Sequence, residues 1–222
     1  MWIKICANTN ADDMLLAAKL GANAVGFVFA ASPRQVTPAQ ARAIGSELPP
    51  TIERIGVFQT SEPDQIIQAV HDADLTGAQL HGIVDLNLIR RLRQAFASRI
   101  TLIQTLHWDM EPAIATPWAS IRDQLRQIRQ EPAIDRILID SRIGSLTGGT
   151  GVPFDWAAAN AALKEELGAV KLIVAGGLRP ENVARAIESL HPWGVDVASG
   201  VEISAGQKDP KKLEAFIKKA SS

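Results

Sequence analysis

The chain has 222 residues, 46% of them hydrophobic, with 23 basic against 24 acidic side chains and a formal net charge of −1. That balance argues against nucleic acid as the main partner, because phosphate-backbone binding asks for a basic surface, and no apolar run approaches the roughly 18 residues of a membrane span. A single cysteine, Cys6, excludes an internal disulfide and a thiolate zinc cluster and suits a reducing compartment, the cytoplasm.

The length suits one domain, residues 1–222. Met1-Trp2-Ile3-Lys4-Ile5-Cys6 runs straight into a strand-like stretch and lacks a signal-peptide layout. From there one unit repeats: a short apolar run, a turn, then a segment of helical period. The apolar runs are Ile3–Cys6, Ala24–Phe29, Arg54–Phe58, Gly77–His81, Ile100–Leu106, Arg136–Asp140, Lys171–Ala175 and Gly194–Ser199. They are short and rich in Val, Ile and Leu, as in parallel strands buried on both faces. Between them, Ile89, Leu92 and Phe96 recur at helical spacing. So do Trp118, Ile121, Leu125 and Ile128, then Val183, Ile187 and Leu190, then Leu213, Phe216, Ile217 and Ala220. Thr37-Pro38, Thr116-Pro117 and Asp209-Pro210 each put a capping oxygen before a proline at a helix start, and Leu20-Gly21 and Leu167-Gly168 mark helix ends.

Alternating strand and helix signals mean a parallel sheet with right-handed crossovers. Eight strands favour an α/β fold closed as a single (β/α)8 TIM barrel. The competitor is an open doubly wound sheet, which usually carries G-x-G-x-x-G after its first strand. Cys6-Ala7-Asn8-Thr9-Asn10 stands there instead. The stretch from Asp109 to Thr116 is the least regular.

In such a barrel the active site lies at the C-terminal ends of the strands, with phosphate often held after strands seven and eight. Strand seven runs into Gly176-Gly177 and strand eight into Ser199-Gly200. Glycines there let backbone N–H groups close on a phosphate; the alternative is that they only turn the chain. Cys6 ends the first strand, where it is either a nucleophile or base, or an inert buried thiol. Asp140 follows three apolar residues at the end of strand six. It can be a partly buried proton donor or a salt-bridged capping acid. Arg34, in Ser32-Pro33-Arg34 after strand two, can grip a carboxylate with two parallel bonds or be a solvated loop charge.

Lys4-Ile5-Cys6-Ala7-Asn8-Thr9 resembles the K-I-C-G-x-T opening of the phosphoribosylanthranilate isomerase family. Further matching motifs follow in order: Gly26-Phe27-Val28-Phe29 with Ser32-Pro33-Arg34, Gly56-Val57-Phe58, Gln79-Leu80-His81-Gly82 and Leu138-Ile139-Asp140-Ser141. After these come Gly148-Gly149-Thr150-Gly151 with Phe154-Asp155-Trp156, Ala175-Gly176-Gly177-Leu178, and Asp196-Val197-Ala198-Ser199-Gly200-Val201-Glu202. The resemblance implies the (β/α)8 barrel and an Amadori rearrangement of a phosphorylated small molecule in tryptophan biosynthesis, without cofactor or metal. It implies Cys6 as general base, Asp140 as general acid and Arg34 as the holder of the anthranilate carboxylate. A homo-oligomer is left open.

The chain departs from the pattern at Ala7, where glycine is usual, at Gln104, where lysine is common, and in the long stretch 108–135. Ala7 would strain the loop if its φ were positive. Lys4 lies within a strand and carries no expected role. His81 reads as a hydrogen-bonded residue near the mouth, His107 as a pocket-lining candidate, and His71 and His191 as surface groups. Trp156 reads as a core anchor, and Lys211-Lys212 with Lys218-Lys219 as a solvated helix face. A dual-specificity sugar-phosphate isomerase would pair two carboxylates, so Cys6 speaks against it. A paralogue that only binds a phosphorylated ligand is the non-enzyme alternative.

Overall fold

In the computed structural model eight parallel strands pair in sequence order and close on themselves, β1 bonding to β8 as well as to β2. The structure describes residues 1–109, 117–142, 163 and 166–222. The barrel strands are β1 (Trp2–Ile5), β2 (Ala24–Val28), β3 (Glu53–Phe58), β4 (Gly77–Leu80), β5 (Thr101–Asp109), β6 (Arg136–Arg142), β7 (Lys171–Ala175) and β8 (Gly194–Val197). The helices are α1 (Ala11–Leu20), α2 (Pro38–Gly45), α3 (Pro63–Asp72), α4 (Leu86–Phe96), α5 (Pro117–Arg129), α6 (Val183–Leu190) and α7 (Pro210–Ser221). Closure excludes the open sheet. The motif residues 148–151 and 154–156, Trp156 among them, lie outside the described residues, as does Thr116.

The helix boundaries follow from their caps. Thr37 and Gln40 form a reciprocal capping box ahead of Pro38. The Asp209 carboxylate accepts from the Lys211 and Lys212 amides ahead of Pro210. Gly21 closes α1 at φ 106°, a left-handed conformation that glycine adopts without cost from a Cβ.

Strand residues alternate between two environments. One set, including Ile5, Phe27, Leu102, Ile139 and Val195, packs outward against Met14, Leu92 and Phe216 of the helices. The other fills the barrel: Trp2, Ala24, Ile55, Ile103, Leu138, Ile173 and Ala175 form one apolar plug, with Trp193 packed against it. Because the strand period is two, the residues two positions beyond Trp2, Ile103 and Leu138 face the same interior one layer higher. They are Lys4, Thr105 and Asp140, so the apolar plug gives way to a polar layer just below the mouth. At the opposite end Trp2 stacks on Trp193, with ring centroids 5.2 Å apart. The Arg136 guanidinium lies 4.6 Å over Trp193 and pairs with Glu53.

Two strands outrun their apolar signal. β5 and β6 continue pairing through His107↔Asp140 and Trp108↔Ser141 to Asp109↔Arg142. Apolarity marks only the part of a strand buried on both faces, whereas the ladder itself needs only backbone groups. β8 instead stops at Val197, and Ser199–Val201 form a 3-10 turn. A hairpin of β9 (Glu202–Ser204) and β10 (Gln207–Lys208), which no sequence signal announced, follows it.

Candidate active site

The floor of the mouth is an ionic layer around Lys4. This side chain is fully buried, and its Nζ donates to Gln79 Oε1 at 2.8 Å and to Asp196 Oδ2 at 3.0 Å. Gln79 in turn donates from Nε2 to Thr105 Oγ1 at 3.1 Å. The four residues come from β1, β4, β5 and β8, so the network ties opposite sides of the barrel. Burial alone would pull the Lys4 pKa down, but Asp196 and Cys6 outweigh it and hold the ammonium above its ordinary value. Burial pushes the Asp196 carboxyl up against the pull of Lys4.

Cys6 sits one residue beyond β1, buried, with its amide donating to the Val197 carbonyl at 2.8 Å. Its Sγ and the Lys4 Cε both crowd the same face of Gly26, so the thiol lies alongside the lysine stem. Burial raises the thiol pKa; Asp196 adds to that, while Lys4 and Lys208 oppose it. The free protein therefore keeps a thiol poised beside two ammonium groups. Lys4, set aside from the sequence as an in-strand residue, exerts the stronger pull of the two. Lys208, from β10, is buried and donates from Nζ to the Cys6 carbonyl at 2.6 Å and to Glu202 Oε1 at 3.1 Å. Gly26 makes room: a Cβ there would lie 2.7 Å from Cys6 Sγ and 3.0 Å from Lys4 Cε. Asn8 donates to the Ile5 and Gly26 carbonyls, and Thr9 donates to the Gly206 carbonyl, so the residues after Cys6 are tied to β2 and to the hairpin.

Arg34 follows β2 and meets a carboxylate, but one supplied by the protein. Its Nε donates to both Glu202 oxygens at 3.0 Å and its Nη2 to Oε2 at 2.7 Å. Burial would raise the Glu202 pKa, yet Arg34 and Lys208 together bring it below the ordinary value. Glu202 is thus an ionised bridge between the arginine and the lysine that holds the Cys6 carbonyl. Its pairing carried no signal beyond its place in the motif that ends strand eight.

Asp140 lies in β6 at the mouth with 17% of its side chain exposed, its Oδ2 3.9 Å from His81 Nε2. The His107 ring meets the His81 ring edge-on, centroids 4.6 Å apart, and its Nε2 lies 3.0 Å from the His81 carbonyl. His81 and His107 are therefore both at the mouth.

The two glycine loops touch. Gly176 and Gly177 have φ of 85° and 62°. A Cβ on Gly200 would fall 1.8 Å from the Leu178 carbonyl oxygen, so only glycine lets the loops after β7 and β8 approach this closely. Asn182 braces the first loop, donating from Nδ2 to the Gly177 carbonyl and accepting the Arg179 amide. Ser199 opens the turn beside it.

Gln104 is not part of this basin. It is fully buried, and its Nε2 donates to the carbonyls of Leu80, Gly82 and Thr105.

Fold and mouth define the class: a (β/α)8-barrel enzyme whose ionisable groups gather at the C-terminal ends of its strands. Residues 3–219 match the family model described as N-(5'-phosphoribosyl)anthranilate (PRA) isomerase. An N-(5'-phosphoribosyl)anthranilate isomerase of Rubrobacter xylanophilus is 37% identical, the match covering 99% of this chain and 98% of that protein. The crystal structure of phosphoribosyl anthranilate isomerase from Thermotoga maritima superposes with a TM-score of 0.84 at 35% identity, covering 100% of this chain and 98% of that one. A second solved phosphoribosyl anthranilate isomerase, in complex with reduced 1-(o-carboxyphenylamino)-1-deoxyribulose 5-phosphate, has a TM-score of 0.80 at 34% identity, with 100% and 98% covered. The chain belongs to the N-(5'-phosphoribosyl)anthranilate isomerase family, and its enzyme class is that of an isomerase.

Proposed function

We propose that the barrel mouth converts N-(5'-phosphoribosyl)anthranilate into 1-(2-carboxyphenylamino)-1-deoxyribulose 5-phosphate, a step of tryptophan biosynthesis, with Asp140 as general acid and Cys6 as general base. Asp140 protonates the ribose ring oxygen, the C1–O bond breaks, and the nitrogen lone pair forms an iminium. That cation makes the C2 proton acidic. Cys6 removes it, leaving an enolamine, which becomes the ketone at C2 as C1 gains a proton. Acid and base act on different atoms, which suits groups carried on strands six and one.

The observation that carries this reading is the buried Lys4 side chain beside Cys6: a Cβ on Gly26 would lie 2.7 Å from Cys6 Sγ and 3.0 Å from Lys4 Cε. A thiol with a high pKa is a poor base, and a fixed buried cation lowers the cost of forming the thiolate. The phosphate of the substrate is assigned to Gly176-Gly177 and Ser199-Gly200, in keeping with the phosphorylated ligand of the related complex. Arg34 is assigned to the anthranilate carboxylate. A guanidinium has five donors, and Glu202 engages only Nε and Nη2, so Glu202 orients the fork while its Nη1 edge serves the ligand. Among the described residues no helix is long and apolar enough to cross a membrane; a cytoplasmic location belongs to the same proposal.

Replacement of the two reactive groups tests this. Cys6→Ser and Asp140→Asn should each lower kcat by about 100-fold or more with the melting curve retained, since a positioned acid or base contributes roughly 10²–10⁴-fold. Near-normal turnover in either folded variant removes that residue from the mechanism.

A further inference from the structure

His107 has no part in the reaction above, yet it stands at the end of the barrel where the acid lies. Its neighbour across the β5–β6 ladder is Asp140, and its ring packs on His81 from the end of β4. One ligand atom from each of these three side chains, a ring nitrogen from both histidines and a carboxylate oxygen, lies within 4.8 Å of the others. All three are half-buried. Zinc bonds of about 2.0–2.2 Å place tetrahedral ligands about 3.4 Å apart. The trio must therefore contract by roughly 1–1.5 Å around an ion, a movement within reach of small side-chain rotations at a partly open mouth.

The hydrogen bond of His107 makes its ring ready to ligate. A carbonyl oxygen only accepts, so the nitrogen facing the His81 carbonyl, Nε2, carries the proton. The lone pair is then on Nδ1, which is buried and has no hydrogen-bond partner among the described residues. Histidines that bind metals characteristically donate their other N–H to a carbonyl or carboxylate in this way. Two imidazoles and one carboxylate suit zinc and its transition-metal neighbours, whereas Mg²⁺ and Ca²⁺ prefer oxygen ligands throughout.

We propose that His81, His107 and Asp140 form a binding site for a divalent transition metal, Zn²⁺ above all, which inhibits the isomerase by occupying Asp140. The inhibition rests on Asp140 being the acid; the binding does not. The ion is a reversible inhibitor here, since a carboxylate held by the metal has no proton to give.

The test uses the untagged full chain. Calorimetric titration with Zn²⁺ should give one site, and Co²⁺ should give visible d–d absorption without thiolate charge transfer. Zn²⁺ should inhibit turnover, and EDTA should restore it, while Mg²⁺ at the same concentration does nothing. His107→Ala should weaken Zn²⁺ binding by about 100-fold or more, and Cys6→Ser should leave the Co²⁺ spectrum unchanged. His107→Phe, which keeps a ring in the gap, and His81→Ala are alternatives should His107→Ala not fold. Absence of Zn²⁺ binding, binding that survives loss of either histidine, or loss of binding in Cys6→Ser would overturn the site. Binding at the trio with undiminished turnover would keep the site and overturn the acid role of Asp140.

Discussion

Ala7 adjoins Cys6 with φ 62° and is almost completely buried. The left-handed region costs an L-residue about 1–2 kcal/mol, so the departure from glycine places strain directly beside Cys6. Ala7→Gly relieves it, less part of that gain for the greater freedom of glycine in the unfolded chain. The variant should be more stable by about 0.5–1 kcal/mol. A domain of this size then melts a few degrees higher, which scanning calorimetry resolves; a lower Tm would mean that the loop draws its shape from the Ala7 methyl rather than in spite of it. Gln104 is a different departure. Its amide donates into a nest of three carbonyls while its own Oε1 is buried with no hydrogen-bond partner among the described residues. A lysine ammonium has three donors and no acceptor, so the lysine common at this position matches the nest more completely. The substitution touches the wall of β4 and β5, whereas Cys6 follows β1 and Asp140 lies in β6.

The hairpin of β9 and β10 is the element that assembles the site from parts of the chain far apart in sequence. Glu202 on one strand holds Arg34, and Lys208 on the other holds the Cys6 carbonyl. Because the folded pKa of Glu202 lies below its ordinary 4.5, the carboxylate stabilises the folded chain. That contribution is complete above about pH 4.5 and is lost as pH falls through the folded value. Glu202→Gln should therefore be less stable than the parent at neutral pH, and the two stability curves should converge on acidification. The same variant should raise KM several-fold through a misaligned Arg34 and leave inhibition by ribose 5-phosphate nearly unchanged. Curves that stay parallel down to strongly acid pH would show that the bridge contributes nothing to folding.

At the scale of the whole molecule, the barrel was legible because its eight apolar runs alternate with segments of helical period and because Thr37-Pro38 and Asp209-Pro210 cap where the chemistry of capping demands. Strand-end position marked Cys6, Asp140, Arg34 and the glycine pairs as candidates, and the roles proposed for the first three came from the family resemblance. Lys4 was not, since a lone charge in an apolar run has no visible partner until the barrel brings Asp196 to it across 192 residues. Lys208 was hidden for the same reason: nothing local distinguishes it from the surface lysines of α7. The overlong β5–β6 pair escaped because apolar pattern reports burial and not pairing.

The most direct measurement follows the fluorescence of phosphoribosylanthranilate mixed with the purified chain at neutral pH in the presence of EDTA. Substrate fluorescence should fall at a rate proportional to chain concentration, and Asp140→Asn should slow that fall by about 100-fold or more. Fluorescence that holds steady over a folded chain, one that still binds reduced 1-(o-carboxyphenylamino)-1-deoxyribulose 5-phosphate, would contradict the isomerase reading and leave a protein that binds the ligand without turning it over.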